Sequence, residues 1–166
     1  MTHSDRYSEL KSRLVGIGCK YKEDEPMSKH TSFRIGGPAD IFLIPDSEDM
    51  LLKTLSICRE TQTPITVIGN GSNMLVSDLG VEGAVISTLG LKSIYFEETG
   101  KITAGSGLKI MSLSKAAAEN SLTGLEFAWG IPGSVGGAVY MNAGCYGSEI
   151  KDIIVSCRHV SMNGKV

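Results

Sequence analysis

No run of apolar residues in this chain approaches the roughly 18 that a membrane span needs, and the start, MTHSDRYSELKSRL, holds no apolar signal core. Both absences point to a cytoplasmic protein with no membrane partner. Cysteine is scarce and poorly spaced for chemistry. Cys19, Cys58, Cys145 and Cys157 form no C-x-x-C pair, and His3, His30 and His159 lie far apart. Neither a zinc site nor a disulfide framework is indicated, so no metal is expected and the thiols are expected reduced. Charge of one sign is lacking too. Sixteen Lys and Arg against 18 Asp and Glu leave a net charge of −2, which gives nucleic acid no electrostatic hold. With 42% hydrophobic and 20% charged residues over 166 positions, the chain is a soluble globular protein of one domain or two small ones.

What is abundant is glycine. Twenty are present, and seven fall between Gly124 and Gly147, in GLEFAWGIPGSVGGAVYMNAGCYG. Glycine costs conformational entropy and offers the core no side chain, so such a run needs a reason. The usual reason is close approach of backbone to a ligand. Around the glycines stand Ile131, Pro132, Val135, Ala138, Val139 and Ala143, with one amide, Asn142, and little charge beyond Glu126. A wall of this kind offers backbone N–H donors and apolar contact for a flat ring, which suits a large neutral or anionic cofactor. A tightly packed irregular loop is the competing reading.

Periodicity predicts a short N-terminal helix over 5–17, with Tyr7, Leu10 and Leu14 on one face. The charged segment 20–30 reads as a linker, followed by a turn at Gly36-Gly37-Pro38. Strands are expected at DIFLIP and ITVIG, joined by a helix that Asp46 and Ser47 can cap and that turns Leu51, Leu55 and Cys58 inward. That is a βαβ unit, to which GAVIST (83–88) adds a strand. Beyond residue 90 the pattern becomes a hairpin turning at Thr99-Gly100, a helix over 108–121, the glycine-rich stretch, and a strand at IIVSCRHVSM. Asn163-Gly164 signals a tight hairpin turn with only two residues after it, so the chain is expected to be a fragment with an unpaired edge open to oligomerisation.

Two small-residue loops are further ligand candidates. Gly69-Asn70-Gly71-Ser72-Asn73 follows a buried strand and can turn successive N–H groups toward one anion. It is not a dinucleotide fingerprint, because Met74 stands where G-x-G-x-x-G needs glycine. Ala104-Gly105-Ser106-Gly107 is the weaker candidate. Trp129 and Tyr140 read as packing residues, Cys145 as a small packed thiol, and Arg34 as a surface residue. Glu126 is either a ligand to a hydroxyl or a buried structural carboxylate. Ser134 is not in a nucleophile elbow.

The motifs HTSFRIGGPAD, IGNGSNMLVSD and GLEFAWGIPGSVGGAVYMNAGCYG, in that order, resemble those of the UDP-N-acetylenolpyruvoylglucosamine reductases, also called UDP-N-acetylmuramate dehydrogenases. The second motif alone also fits the wider group of FAD-linked oxidases with a vanillyl-alcohol-oxidase (PCMH) type of FAD domain. The resemblance implies an α+β fold in which a small parallel α/β unit, about 1–90, packs on a mixed antiparallel α+β unit, about 91–166. FAD lies between them. It implies that Gly69, Asn70, Gly71, Ser72 and Asn73 cradle the pyrophosphate, while Ile131, Pro132, Gly133, Ser134, Gly136, Gly137, Asn142, Ala143 and Gly144 line the flavin and adenosine sides. In that family NADPH reduces a UDP-sugar enolpyruvyl ether in peptidoglycan precursor synthesis, a step of cell-wall biogenesis. The family's catalytic arginine, serine and glutamate find no counterpart in residues 1–166, so no catalytic residue is assigned, and the chain alone is expected to bind cofactor without turnover. A non-catalytic flavin- or phosphate-binding module, or a piece of another FAD-linked oxidase, is the alternative.

Overall fold

The computed structural model describes residues 6–161. A helix α1 (Ser8–Gly16) opens it and buries Leu10 and Leu14, with Tyr7 just before it. Three strands, β2 (Pro38–Leu43), β3 (Ile65–Ile68) and β4 (Val81–Ser87), form a parallel core, with β1 (Tyr21–Pro26) antiparallel on the β2 edge. The order is β1-β2-β4-β3, so the predicted strand–helix–strand unit is real but its two strands are separated by β4. Helix α2 (Glu48–Glu60) makes that crossover and starts as expected, Ser47 Oγ accepting the Met50 N–H at 3.2 Å.

Strand alternation divides the side chains between two faces. Ile41 and Leu43 of β2, with Ala84 and Ile86 of β4, meet α1 and α2. Phe42 and Val85 point the other way, onto Met27, Ile68 and Val76. Tyr7 ties helix to sheet. Its hydroxyl donates to Asp40 Oδ2 at 2.8 Å, and the Gly83 N–H donates to the same oxygen at 2.9 Å. Burial, and then the Asp40 carboxylate, push the Tyr7 phenol up to about 12.

The segment expected to be a linker is β1. It looks like a linker because Lys22, Glu23 and Asp24 face solvent on an edge strand, where charge deters further pairing. Glu25 and Met27 are its buried residues.

After β4 the chain forms the expected hairpin, β5 (Ile94–Phe96) and β6 (Ile102–Ala104), turning through Gly100 at φ +81°. Helix α3 (Ile110–Glu119) follows. The glycine-rich stretch is more ordered than an irregular loop. It holds a 3₁₀ turn (Glu126–Gly130), a helix α4 (Val135–Met141) and a minimal hairpin of β7 (Gly144–Cys145) and β8 (Ser148–Glu149). Ile110, Leu113, Phe127, Ala128, Ala138 and Ile150 close a separate core. The strand expected at IIVSCRHVSM does not form among the described residues. Residues 153–161 pair with no strand among the described residues, and Val155 is 74% exposed. A strand without a partner leaves its backbone groups to water. The expected Asn163-Gly164 turn lies outside the described residues.

Candidate functional site

Strand β3 delivers the loop Gly69–Asn73 onto the start of α4. A Cβ at Gly69 would lie 2.2 Å from Ser134 Oγ, and one at Gly133 would lie 3.6 Å from Ser72 Oγ. Ser134 is itself buried and caps α4, its Oγ accepting the Gly137 N–H at 3.3 Å. At the far end of the loop, Asn73 Nδ2 reaches Met141 Sδ at 3.6 Å, in the last turn of α4. The loop therefore runs alongside the helix from cap to end. Gly71, at φ +63°, rests on the neighbouring segment, where a Cβ would come 1.9 Å from the His30 carbonyl oxygen. Ser32 N–H donates to the Gly71 carbonyl at 3.1 Å. These glycines are in close contact between chain segments, the packing alternative that the sequence left open beside a ligand. Gly136 behaves likewise, packed on Ser106 with its N–H on the Ser106 carbonyl at 2.8 Å.

The approach leaves donors open. Among the described residues, the N–H groups of Asn70, Gly71, Ser72 and Asn73, and those of Gly133 and Ser134, donate to no protein acceptor. Uncommitted amides on two touching loops fit an anionic group such as a pyrophosphate. The residues present therefore suit the phosphate part of a dinucleotide. By contrast, the Gly105 and Gly107 amides donate to the Ser93 and Leu91 carbonyls, so the weaker loop candidate is a packed turn.

The other predicted residues lie differently. Ile131 packs beside the second core and Pro132 is exposed. Asn142, Ala143 and Gly144 sit at the C-terminal end of α4, one helix length from the Gly69–Ser134 contact. Asn142 adopts φ +45°, donates from Nδ2 to Glu149 Oε2 at 2.6 Å, and accepts the Lys151 N–H at 2.8 Å. Ala143 N–H bonds the Ala138 carbonyl, and Gly144 pairs with Glu149. All three brace the corner between α4 and the β7–β8 hairpin.

Gly69 and Asn70 of the loop also border a cavity of about 240 Å³, together with Lys29, His30, Ser87 and Leu89. Sites for drug-sized ligands run to roughly 300–1,000 Å³, so this one admits part of a large cofactor. The His30 ring stacks on Phe42 with centroids 4.0 Å apart, and its Nε2 lies 2.9 Å from Glu25 Oε1. Glu25 is buried. Hydrogen bonds from His30 and Lys22 hold its carboxyl down at about 2, with the Lys22 and Lys29 charges adding to the effect. Sequence reading missed this cluster because it counted residues 20–30 as linker.

Several single-residue expectations change. Trp129 is 55% and Tyr140 89% exposed, so neither is a packing residue. Glu126 is exposed and accepts the Gly124 N–H at 2.7 Å, so it is not a buried structural carboxylate. Arg34 is on the surface as read, and Cys145 is half-buried. Among the described residues no helix is long and apolar enough to cross a membrane, and no group of three His, Cys, Asp or Glu is placed to hold a metal.

A family model described as FAD binding domain matches residues 39–166. A UDP-N-acetylenolpyruvoylglucosamine reductase of Clostridium perfringens (strain SM101 / Type A) is 50% identical over 140 residues, which is 84% of this chain and 46% of that protein. The crystal structure of a UDP-N-acetylenolpyruvylglucosamine reductase from Thermus caldophilus superposes with a TM-score of 0.65 at 33% identity, over 81% of this chain and 46% of the other. An alkyldihydroxyacetonephosphate synthase superposes over 95% of this chain and 34% of its own, with a TM-score of 0.75 at 18% identity, a likeness of fold alone. The chain spans about half the length of the curated relatives it matches. The expected α+β FAD-domain fold and the resemblance to these reductases both hold.

Proposed function

Because the chain belongs to the FAD binding domain family, we propose that it is the FAD-holding part of a reductase that uses NADPH to convert UDP-N-acetylglucosamine enolpyruvate to UDP-N-acetylmuramate. The observation that carries the reading is the loop Gly69–Asn73 laid along α4, with open amides on Asn70–Asn73 and on Gly133 and Ser134. Asn70, Gly71, Ser72 and Asn73 take the pyrophosphate through backbone donors, and Gly69 keeps that loop seated on Ser134. Ile131, Pro132, Gly133, Ser134, Gly136 and Gly137 flank the cofactor along the start of α4, and Asn142, Ala143 and Gly144 hold the far corner. FAD, when bound, supplies the relay of hydride from nicotinamide to the substrate carbon. The residues of this chain bind and orient it, and none is assigned to the proton transfer. Residues 1–90 and 91–166 are the two units that meet at the cofactor, in a cytoplasmic enzyme of peptidoglycan precursor synthesis.

The test is a visible spectrum of the purified protein after incubation with FAD and gel filtration, followed by NADPH oxidation with the enolpyruvyl sugar. Flavin bands that travel with the protein are expected. A protein that stays colourless at saturating FAD overturns the reading. FAD retention without substrate-dependent oxidation favours the non-catalytic flavin module.

A further inference from the structure

We propose that His30, with Lys29 beside it, makes a proton-dependent contact to the diphosphate where the Gly69–Asn73 loop borders the cavity, an inference that rests on the FAD reading above. The cavity brings His30 and Lys29 opposite Gly69 and Asn70. Asn70, whose N–H donates to no protein acceptor among the described residues, borders the same space. The imidazole is fixed from two sides, by its stack on Phe42 and by Glu25 at Nε2. Its second ring nitrogen, Nδ1, has no protein partner among the described residues.

A neutral ring that donates from Nε2 to Glu25 presents Nδ1 as an acceptor, which repels a phosphate oxygen. A protonated ring donates from both nitrogens. An anion in the cavity therefore needs the second ring proton, while Nε2 stays committed to the Glu25 carboxylate. The charged groups that face this assembly are Glu25 and Lys22 from β1 and Lys29 from the 3₁₀ turn after it. The elements packed on the other sides contribute Phe42, Ile68, Asn70, Ser87 and Leu89, none of which titrates near neutrality. Histidine is the side chain that ordinarily changes charge between about pH 5 and 8. Binding then takes up a proton, and affinity rises as pH falls.

The experiment titrates the protein with FAD and, separately, with ADP-ribose at about pH 6 and about pH 8 and constant ionic strength. Both probes are diphosphate diesters whose phosphates do not titrate in that range. For the wild type a Kd roughly three- to tenfold lower at the acid end is expected, bounded by one linked proton. His30→Gln keeps a donor to Glu25 but cannot charge, and should bring the ratio to about one. A flat wild-type profile, or an undiminished ratio in His30→Gln, overturns the proposal while leaving FAD binding intact. A pH-dependent Kd for ADP-ribose without FAD binding supports the phosphate contact and sinks the FAD reading. Failure of both probes at either pH overturns both.

Discussion

Replacing Gly69 by alanine separates the two explanations of the glycine loops. The added Cβ would stand 2.2 Å from Ser134 Oγ, against the 3.0–3.4 Å that already counts as tight, so something must move by nearly an ångström. If the hydroxyl rotates away, α4 loses its cap, at about 0.5–2 kcal/mol, and a buried O–H loses its place, at about 1–3 kcal/mol. If the loops part instead, the packing between them goes. Alanine also lowers the entropy of the unfolded chain, which offsets about 0.4–1 kcal/mol. The net expectation for Gly69→Ala is a loss of about 1–3 kcal/mol in the protein without cofactor. Ser134→Ala alone should cost about 1 kcal/mol as a lost cap. The double variant is the decisive one. Without Oγ, the nearest Ser134 atom to the new methyl is Cβ at 3.4 Å, an ordinary contact, so Gly69→Ala should then cost almost nothing further. A coupling of about 1–2 kcal/mol follows, read from urea unfolding or from melting curves, where 1 kcal/mol moves Tm by about 2–4 °C. Additive losses would refute the packing argument. So would a Gly69→Ala protein of wild-type stability that only binds FAD poorly, since that glycine would then be answering to the ligand.

Three further outcomes can be checked on the same protein. Glu25 titrates near 2 when folded, below the ordinary carboxylate value near 4.5, so its contribution is complete above about pH 4.5 and drains away as pH falls toward about 2; Glu25→Gln should flatten the pH dependence of Tm in that window. Tyr7→Phe removes the donor to Asp40 and should cost about 1 kcal/mol, while the raised phenol predicts that the Tyr7 contribution persists below about pH 10 and is lost as pH climbs through about 12. A disulfide reagent at neutral pH should modify exposed Cys157 first, whereas Cys58, pushed up to about 11 by burial, and Cys19, raised for the same cause, should react only on unfolding.

The legible parts of the fold are those in which side chains carry a period. Leu10 and Leu14 mark the inner face of α1, Ser47 stops the chain before α2, and the β-branched ITVI marks a strand, although β3 lies at the sheet edge with Val67 52% exposed and was expected to be buried. What escaped has no local signal. β1 is written in charge because its outer face is wet, and its one informative residue, Glu25, shows its burial only through Lys22, Lys29 and His30 folded around it. The apolar residues 153–155 carry the opposite lesson. β-propensity marks a segment that fits a sheet, but a ladder supplies the structure, and none of the described residues offers one.

The site was legible in outline, but not what presses on its glycines. Glycine at 69, 71 and 136 does mean close approach, but a sequence cannot say what approaches, and here it is Ser134, the His30 carbonyl and Ser106. The cofactor argument survives through a second property of the same loops. Segments pressed together this tightly have no room for side chains to satisfy their own amides, so the N–H groups of Asn70–Asn73 and of Gly133 and Ser134 stay uncommitted. Packing and binding are then not competing explanations for the glycines. Tight packing builds the surface, and the open amides are what that surface can offer an anion. A substitution that relieves the packing, such as a serine at Gly71 that must push against the His30 carbonyl, should therefore lower stability and phosphate affinity together.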